Sequence, residues 1–545
     1  MTKVLPLPGQ ISWEKLASRR WLLPGILLAG LLLRLYLLFA SQQMLEADEA
    51  LVGLQAYGIM RGERPLFYPG QSYLGSLEAY LMAAVFWLLG PSTLTLKLVP
   101  LAFSILFIYT TFLLARELYN PAVGLLSALF VALCPLLLTI VSLKAWGGYI
   151  ETPVLGNIAF LLLAGTLYRT DGRQRLWPAM LGLGFISGLG LWIHPQYSYY
   201  FGSTIVLLLI KGRRVGLGGF FSFVPAFAVG VAPLLLGSLG LTTKTTSMEV
   251  FGDAVPATIF WPTLQGAIRY MVLDGWLTFA GLRSLRGDLY LNPFFLVVPV
   301  YLAAVASIFK QTGQSMVAGR DDPRYILVVF LLLSPLVFVA GALTQLNWTA
   351  IISGSGLLVR YLMPLYTAVP ILLAAFLWRL AGRFYWLAVV LTLLVLVVNL
   401  GSHLTVDAVH TMRSVYENVP LPASNQELID FLEAEGLRYI YTNHWIGYRL
   451  MFEMQERVST FDYVDSLYGM DRLPQYSQAV EEAPVAPAYL LFNPRWDVLP
   501  PLEEAFQQLG IGYRKQELQD YLVYYSLSRR VHPSEVMDAL GWPYY

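Results

Sequence analysis

WLLPGILLAGLLLRLYLLFA, residues 21–40, is an apolar run long enough to cross a bilayer as a helix. A helix needs about 20 residues to span the roughly 30 Å hydrocarbon core. Similar runs recur along the 545-residue chain, which is 57% hydrophobic and 13% charged, whereas soluble proteins are about 25% charged. A β-barrel would instead alternate in polarity over segments of about ten residues. The sequence therefore predicts a polytopic α-helical membrane protein.

The distribution of basic residues predicts how the chain crosses the membrane. The segments predicted to share a side with the N-terminus hold 16 Lys and Arg in 64 residues, against nine in 138 residues on the other side. Because basic residues favour the cytoplasmic side, the N-terminus is predicted to be cytoplasmic and residues 41–97 extracytoplasmic. We predict about 11 transmembrane helices, at residues 21–40, 98–115, 122–141, 153–168, 178–194, 199–210, 218–240, 291–309, 325–344, 361–378 and 384–402.

Residues 73–90, YLGSLEAYLMAAVFWLLG, can be read either as a span or as a helix on the membrane surface. A span here would invert every later loop and place the basic segments YRTDGRQR and KGRRVG outside, against the charge bias. We therefore predict an amphipathic or re-entrant helix on the outer face. Residues 1–402 then form a transmembrane domain with outer juxtamembrane helices in 41–97.

The composition changes after residue 402, where the long apolar runs end. SNQELIDFLEAEG predicts a helix, with Ser424 and Glu427 spaced as a capping box and Gly436 at its stop. LRYIYTNHW, RVSTFDY, AYLLFNP and YLVYYSLS have the composition of strands, and PPLEEAFQQLG that of a second helix. Residues 403–545 are therefore predicted to form a soluble extracytoplasmic α/β domain.

Two adjacent carboxylates, Asp48 and Glu49, follow the first predicted span. A partly desolvated carboxylate at the membrane surface can act as a general base toward a hydroxyl or an amine. Acidic residues are also common in the first turn of a helix, where the macrodipole favours them. Adjacent helical residues point about 100° apart, so one carboxylate could face a site while the other braces the helix. Spacing alone favours the helix-start interpretation.

Several stretches in sequence order carry a family resemblance. They are ADEALVGLQAYGIMRGERPLFY, YLGSLEAYLMAAVFWLLGPSTLTLKLVPLAFSILFIYTTFLLAREL, SLKAWGGYIETPVLGNIAFLLL, WIHPQYSYY, VRYLMPLY and YTNHWIGYRLMFEMQERV. An acidic pair follows the first span, RGERP has a Gly-x-x-Pro spacing, and a later span ends in Ala115-Arg116. The combination resembles the GT-C superfamily of glycosyltransferases, in particular bacterial relatives of protein O-mannosyltransferases and the lipid A aminoarabinose transferases.

This resemblance implies an inverting transfer of a sugar from a polyprenyl-phosphate carrier at the non-cytoplasmic face. It also implies that Asp48 is the base, with Glu49 as the alternative, and the sequence does not separate the two. The segment YPGQSYLGSLEAY differs from better-known branches, which often carry a His-Pro-Pro or Lys-Pro-Pro element near this point. The sugar and the acceptor, whether protein, lipid or glycan, therefore stay open.

Three basic residues are candidates for contacts to the donor phosphate. Arg360 begins a predicted span at the outer surface, where its guanidinium offers a fork of donors or simply anchors the interface. Lys144 in KAWGGYIET could meet the phosphate or snorkel to the interface. Arg34 lies inside the first span, where an arginine is costly enough to suggest a function, although it too could snorkel.

Three further residues are candidates for a second acid or for contacts to the sugar or acceptor. Glu151 follows two glycines that allow close backbone approach, but a polar residue can also simply begin or end a span. His194 and Tyr149 lie among aromatic residues, which form interfacial belts by default and also stack on sugar rings. In the outer domain, Trp445, Tyr448 and Arg449 either select the acceptor or pack the domain.

Metal, cofactor and partner predictions follow from the same residues. Asp48, Glu49 and Glu151 could together hold a hard divalent cation, but we favour a reaction without metal or other cofactor. The net charge of +1 gives no sign of nucleic-acid binding, and the predicted partners are the donor, the acceptor and the bilayer. Residues 347–349, Asn-Trp-Thr, match an N-glycosylation acceptor, a triplet common by chance.

Three alternative functions remain. A lipid-linked oligosaccharide transferase or ligase would differ in its donor rather than in its fold. A transporter or lipid flippase would place charge near the bilayer midplane and show paired repeats, and we find neither pattern. A structural scaffold would leave Asp48 freely replaceable.

Overall fold

The computed structural model describes most of the chain. The described residues are 20–168, 176–239, 257–283, 292–344, 356–404, 412, 415–416, 419–463, 471–492 and 502–541. The Asn-Trp-Thr triplet at 347–349 lies outside them.

Helices make up most of the chain between residues 20 and 404. Their bounds are α1 (Leu22–Ala40), α2 (Ala47–Met60), α3 (Leu77–Leu89), α4 (Thr93–Leu118), α5 (Pro121–Ala132), α6 (Leu136–Val141), α7 (Glu151–Tyr168), α8 (Leu176–Ile193), α9 (Ser198–Ser238), α10 (Ala257–Arg269), α11 (Gly275–Phe279), α12 (Val298–Val317), α13 (Tyr325–Thr344), α14 (Val369–Ala381) and α15 (Tyr385–Leu404). A π-helical turn covers Tyr270–Asp274, and 3₁₀ segments cover Pro195–Tyr197, Asn292–Val297 and Gly356–Thr367. An antiparallel hairpin of β1 (Phe67–Tyr68) and β2 (Gln71–Gly75) links α2 to α3.

Within the described ranges, seven helices are long and apolar enough to cross a membrane, or eight if the bent pair Val359–Thr367 and Val369–Ala381 forms one span. Helix α9 covers two predicted spans, 199–210 and 218–240, and breaks between them at Gly216, whose φ is 64°. Other predicted spans match shorter apolar helices. The chain is therefore a multi-pass α-helical membrane protein, and the number of eleven spans stays a prediction.

The predicted outer helix at 73–90 begins later than expected. Residues up to Gly75 belong to β2, and α3 follows with 13 residues. A helix of this length is too short to span about 30 Å of hydrocarbon alone. Helix α3 packs against α2, so residues 47–89 form a helical pair joined by a hairpin.

The C-terminal part forms a mixed five-stranded sheet covered by helices. Its elements are β3 (Val415–Tyr416), β4 (Val419–Pro420), α16 (Gln426–Ala434), β5 (Tyr439–Thr442), α17 (His444–Glu453), β6 (Ser459–Asp462), α18 (Pro474–Glu481), β7 (Ala488–Phe492), α19 (Leu502–Gln508), β8 (Arg514–Leu518), β9 (Tyr521–Tyr525) and α20 (Pro533–Ala539). The order is β6-β5-β7-β9-β8, parallel across the first three strands and antiparallel beyond them. A C-terminal α/β domain is confirmed, while its boundary at residue 403 and its outer location stay predictions.

Side chains of this sheet alternate between two buried faces. Ile440, Leu490 and Val523 pack with α16 and α17. Tyr441 and Tyr489 pack on the opposite face with α18, α19 and α20. Parallel strands are normally covered on both faces, and these helices provide that cover.

The C-terminal domain packs directly on α2 and α3. Gly53 of α2 permits this approach because a Cβ there would collide with the ring of Phe452 in α17. The Phe452 ring stacks on Tyr57 at 5.5 Å and lies 5.9 Å from the ring of Phe86 in α3. Aromatic groups of this kind dominate the energetics of a packed interface. The contact places part of the C-terminal domain beside the start of α2.

Candidate active site

The two carboxylates at the start of α2 have different surroundings. Glu49 is fully buried, whereas the Asp48 side chain keeps 37% of its surface exposed. They diverge because successive helical residues are rotated by about 100°. The two interpretations of the acidic pair, a helix brace and an open acid, are thus divided between neighbouring residues.

Glu49 is the centre of a buried ionic network. Its carboxylate pairs with Lys97 of α4 and lies 3.6 Å from Nζ of Lys144. It also accepts hydrogen bonds from the backbone N–H groups of Ala145 (3.1 Å) and Glu46 (3.3 Å). These four partners tie α2 to α4 and to the loop before α7. The environment of Glu49 is therefore structural.

We expect Glu49→Gln to destabilise the protein by about 3–5 kcal/mol, because Lys97 would remain buried without its counter-ion. Thermal unfolding of the detergent-solubilised variant measures the loss. As a control, Glu49→Leu combined with Lys97→Met should lose less stability than the two single variants added together. A Glu49→Gln protein with wild-type stability and no activity would contradict this structural role.

The Asp48 carboxylate faces basic side chains. Arg472 Nη1 lies 3.5 Å from its Oδ1, and Arg360 and His444 are near enough to act on its charge. Partial burial and the neighbouring Glu46 carboxylate raise the pKa of Asp48, and the three basic residues oppose that rise. A carboxylate whose pKa is raised by its surroundings, with nearby cations limiting the rise, suits a general base.

Arg360, in the segment before α14, contacts two aromatic rings. Its guanidinium is 5.6 Å from the ring centre of Tyr149 and 5.4 Å from that of Tyr361. Gln196 Nε2 donates to its carbonyl at 3.1 Å. Within the described structure, the buried Nε of Arg360 has no hydrogen-bond acceptor. An unpaired buried donor is costly, so this group is suited to an anionic ligand.

His194 and Tyr149 form an aromatic wall beside Arg360. Their ring centroids are 4.4 Å apart, and both side chains are buried. His194 Nδ1 accepts a hydrogen bond from the Gln196 backbone N–H at 3.0 Å. A neutral imidazole then carries its proton on Nε2. Burial raises the pKa of Tyr149, which keeps its hydroxyl a neutral donor.

Arg34 lies apart from this group. It is fully buried in the helix bundle, where Nη1 donates to the carbonyls of Gly30 and Ala132 at 3.0 Å each. Nη2 donates to the Val131 carbonyl at 3.2 Å, and Nε donates to Ser104. Arg34 thus satisfies carbonyls left open at the end of α5. Its donors are engaged within the bundle, so the structure does not support the predicted contact with the donor phosphate.

Lys144 is also engaged elsewhere. It is 3% exposed and pairs with Glu46, close to Glu49. Its Nζ also donates to the Met412 carbonyl at 3.1 Å. A buried lysine with two carboxylate partners is a structural cross-link, and this arrangement does not support the predicted phosphate contact.

Glu151 is the first residue of α7. It is 1% exposed, and within the described structure neither of its carboxylate oxygens has a hydrogen-bond partner. Its charge acts on Glu78. Asp48, Glu49 and Glu151 are the three acids considered as metal ligands. The described residues contain no group of three or more His, Cys, Asp or Glu side chains placed to hold a metal ion.

Two residues that sequence reasoning missed, Arg472 and Tyr73, complete the surroundings of Asp48. Tyr73 lies on β2, and burial raises its pKa to about 12. Arg472 packs on Gly70, where φ is 73° and a Cβ would approach Arg472 Cγ to 2.7 Å. Both contacts involve the hairpin in YPGQSYLG, the stretch in which the sequence departs from the better-known family pattern. That departure was the signal in the sequence that could have pointed to Tyr73 and to the contact with Arg472.

The outer-domain candidates pack the domain. Arg449 is 4% exposed and donates to Glu453 (2.8 Å) and to the Pro422 carbonyl (2.6 Å). Tyr448 is buried, and Trp445 packs against the same hydrophobic core. These contacts match the packing interpretation rather than acceptor selection.

The helical membrane domain, the helical pair α2–α3 and the C-terminal α/β domain together match the fold of a solved protein structure. The crystal structure of ArnT from Cupriavidus metallidurans superposes with a TM-score of 0.60 in the apo state and 0.58 bound to undecaprenyl phosphate. Each match has 11% sequence identity and covers 92% of this chain and 98% of ArnT. The predicted resemblance to GT-C proteins is thereby confirmed for the fold.

A more distant structure is the archaeal oligosaccharyltransferase AglB from Archaeoglobus fulgidus, in complex with an inhibitory peptide and a dolichol-phosphate. It matches with a TM-score of 0.49 and 11% identity over 94% of this chain and 75% of AglB, too distant to support an argument. No family model matches the sequence, and no curated protein sequence matches it.

Proposed function

We propose that the chain is an integral-membrane inverting glycosyltransferase, which moves a sugar from a polyprenyl-phosphate carrier to an acceptor at the extracytoplasmic face. The observation that carries this proposal is the partly exposed Asp48 carboxylate at the start of α2, close enough to Arg360 for the two charges to interact. The fold supports it, because the matching ArnT structure holds undecaprenyl phosphate. The sugar, a hexose or a pentose, and the acceptor are left open by the site.

In the proposed reaction, Asp48 takes a proton from the acceptor as the acceptor's nucleophilic atom attacks the anomeric carbon. The bond between that carbon and the phosphate oxygen breaks, and the polyprenyl phosphate leaves with the electron pair. Attack from the face opposite the leaving group inverts the anomeric configuration. Arg360 stabilises the charge that develops on the phosphate. The step needs no nucleotide or other cofactor.

We place this reaction on the extracytoplasmic side with the N-terminus in the cytoplasm. The support is the concentration of Lys and Arg on the opposite side of the predicted spans. The C-terminal domain then lies outside and covers the site, since Arg472 reaches Asp48 from it. His194 and Tyr149 form the wall against which the sugar or the acceptor packs.

Transfer by purified protein in proteoliposomes tests this function. The protein would receive a panel of radiolabelled polyprenyl-phosphate sugars with lipid, glycan and peptide acceptors. We expect transfer, or slow hydrolysis of the donor, with one of these sugars. Use of an oligosaccharide donor only would favour the ligase alternative. Failure to bind any carrier lipid would overturn the proposal and favour a transporter.

The pH dependence of transfer tests the role of Arg472. Activity should rise with pH as Asp48 loses its proton, because a base must be deprotonated to act. Arg472 lowers the pKa of Asp48. Arg472→Gln should therefore move the acid limb of the profile upward by about one pH unit. Arg472→Lys, which keeps the charge, should move it less. A downward shift, or equal shifts in both variants, would contradict this account.

A further inference from the structure

The loop between α6 and α7, KAWGGY at residues 144–149, is held by acids of the first outer segment. Glu46 accepts a hydrogen bond from Trp146 Nε1 at 2.9 Å, and Glu49 accepts one from the Ala145 N–H at 3.1 Å. Glu78 of α3 accepts a third, from the Gly147 N–H at 2.6 Å. Three acids therefore fix three successive residues of one loop.

Glu46 and Glu49 pair with Lys144 and Lys97, whereas Glu78 has no salt bridge within the described residues. It is 2% exposed, in the first turn of α3. Its Oε2 takes the Gly147 hydrogen bond, while its buried Oε1 has no acceptor or donor partner in the described part of the chain. Burial and the charge of Glu151 raise the pKa of Glu78, and hydrogen bonds from the backbone N–H groups of Gly147 and Gly148 oppose that rise. A carboxyl oxygen can accept the Gly147 hydrogen bond in either protonation state.

The two glycines after Trp146 form a turn that other residues would not fit. Gly147 and Gly148 have φ values of 76° and 97°, where other residues are strained. A Cβ at Gly148 would approach Ile193 Cγ2 to 2.6 Å. The next residue is Tyr149, so the position of this turn sets the position of the Tyr149 ring.

The Tyr149 ring in turn supports the group proposed to meet the donor phosphate. It lies 4.4 Å from the His194 ring and 5.6 Å from the Arg360 guanidinium. A cation over an aromatic face is stabilised by the ring. A shift of the turn would therefore move the surface on which Arg360 rests.

We propose that Glu78 is a positioning residue: by accepting the Gly147 hydrogen bond, it holds the Gly147–Gly148 turn so that Tyr149 supports Arg360 at the donor phosphate. The hydrogen bond itself is the function, and the charge of Glu78 is not needed. This inference rests on the proposed glycosyl transfer, but the hydrogen bond can be tested without it.

Two substitutions separate the hydrogen bond from the charge. Glu78→Met keeps the approximate volume without an acceptor, and Glu78→Gln keeps an acceptor without the charge. Hydrogen–deuterium exchange of residues 145–150 should become faster in Glu78→Met and stay at the wild-type rate in Glu78→Gln. Glu63→Ala, an exposed acid of the same outer segment, is the control and should change nothing.

Kinetics test the consequence for the donor. Glu78→Met should lower kcat/KM for the donor by roughly 10–100-fold, mainly through kcat, because a misplaced Arg360 stabilises the charge that develops on the phosphate less well. Glu78→Gln should keep at least about half of the wild-type value. Combining Glu78→Met with Tyr149→Leu should add little to either single loss, since both act through one contact.

Three results would overturn the inference: unchanged exchange in Glu78→Met, a Glu78→Gln loss as large as that of Glu78→Met, or full additivity with Tyr149→Leu. Should Glu78→Met not fold, the exchange and kinetics of Glu78→Gln still decide between hydrogen bond and charge. If the wild type transfers no sugar, the proposed function fails, while the exchange data still show whether Glu78 holds the turn.

Discussion

Asp48→Asn is expected to lower the rate of sugar transfer by about 10²–10⁴-fold, the range for loss of a general base. Asparagine has nearly the same shape but cannot take a proton from the acceptor. Because the Asp48 side chain is 37% exposed, the substitution should leave the fold and the carrier affinity close to those of the wild type. Initial rates in proteoliposomes, with carrier binding measured by native mass spectrometry, would report both quantities.

The matched control is Asp520→Asn, which makes the same chemical change in an exposed turn between β8 and β9. It should keep full activity. Loss of a general base lowers the rate by at least about 10²-fold. A transfer rate of Asp48→Asn within about threefold of the wild-type rate would therefore show that Asp48 is not the base. Loss of carrier binding along with activity would instead assign Asp48 to substrate binding.

Arg360→Gln is expected to lower kcat for the donor by about 10²–10³-fold, as expected when a group that stabilises developing charge is removed. The buried Nε without an acceptor and the two neighbouring aromatic rings make Arg360 the cation prepared for this task. Arg360→Lys should recover only part of the rate, because an ammonium lacks the planar fork of donors. Single-turnover kinetics with saturating carrier separate this loss from weaker binding.

Arg383→Gln is the control for this substitution. Arg383 is an exposed arginine whose guanidinium also lies over an aromatic ring, 5.3 Å from the centre of Phe384. Its loss should leave kcat unchanged. If Arg360→Gln behaves like Arg383→Gln, the phosphate charge must be stabilised by another group.

The membrane class was predictable, because long apolar runs are required to cross the bilayer. The side of the membrane on which the site lies stays a prediction. The spacing of Asp48 and Glu49 even indicated that one acid could brace α2. Which of them does so depends on Lys97, 48 positions further along the chain from Glu49. Such a contact is created by tertiary packing and leaves no local pattern.

The same limit applies to other charged residues. Arg34 and Lys144 were expected to meet a phosphate, yet helix carbonyls satisfy the first and carboxylates the second. A single charged residue near a membrane surface has the same local sequence in either case. Arg472 was missed because it comes from the C-terminal domain, more than 400 positions from Asp48.

Local signals in the C-terminal domain were more reliable for strands than for helix ends. Gly436 adopts the predicted left-handed conformation, with φ of 68°, after α16. The predicted capping box is wrong, since α16 begins after Asn425, and Ser424 Oγ accepts from the Gln426 N–H instead. A capping motif can shift by one residue because neighbouring polar side chains compete for the same backbone donors.

The most direct test of the central claim is to follow one turnover on the purified protein loaded with its polyprenyl-phosphate sugar. Native mass spectrometry would monitor the complex as acceptor is added. The account predicts that the wild type converts the bound donor to polyprenyl phosphate, while Asp48→Asn retains the intact donor at equal occupancy. Conversion at equal rates in both proteins would contradict it.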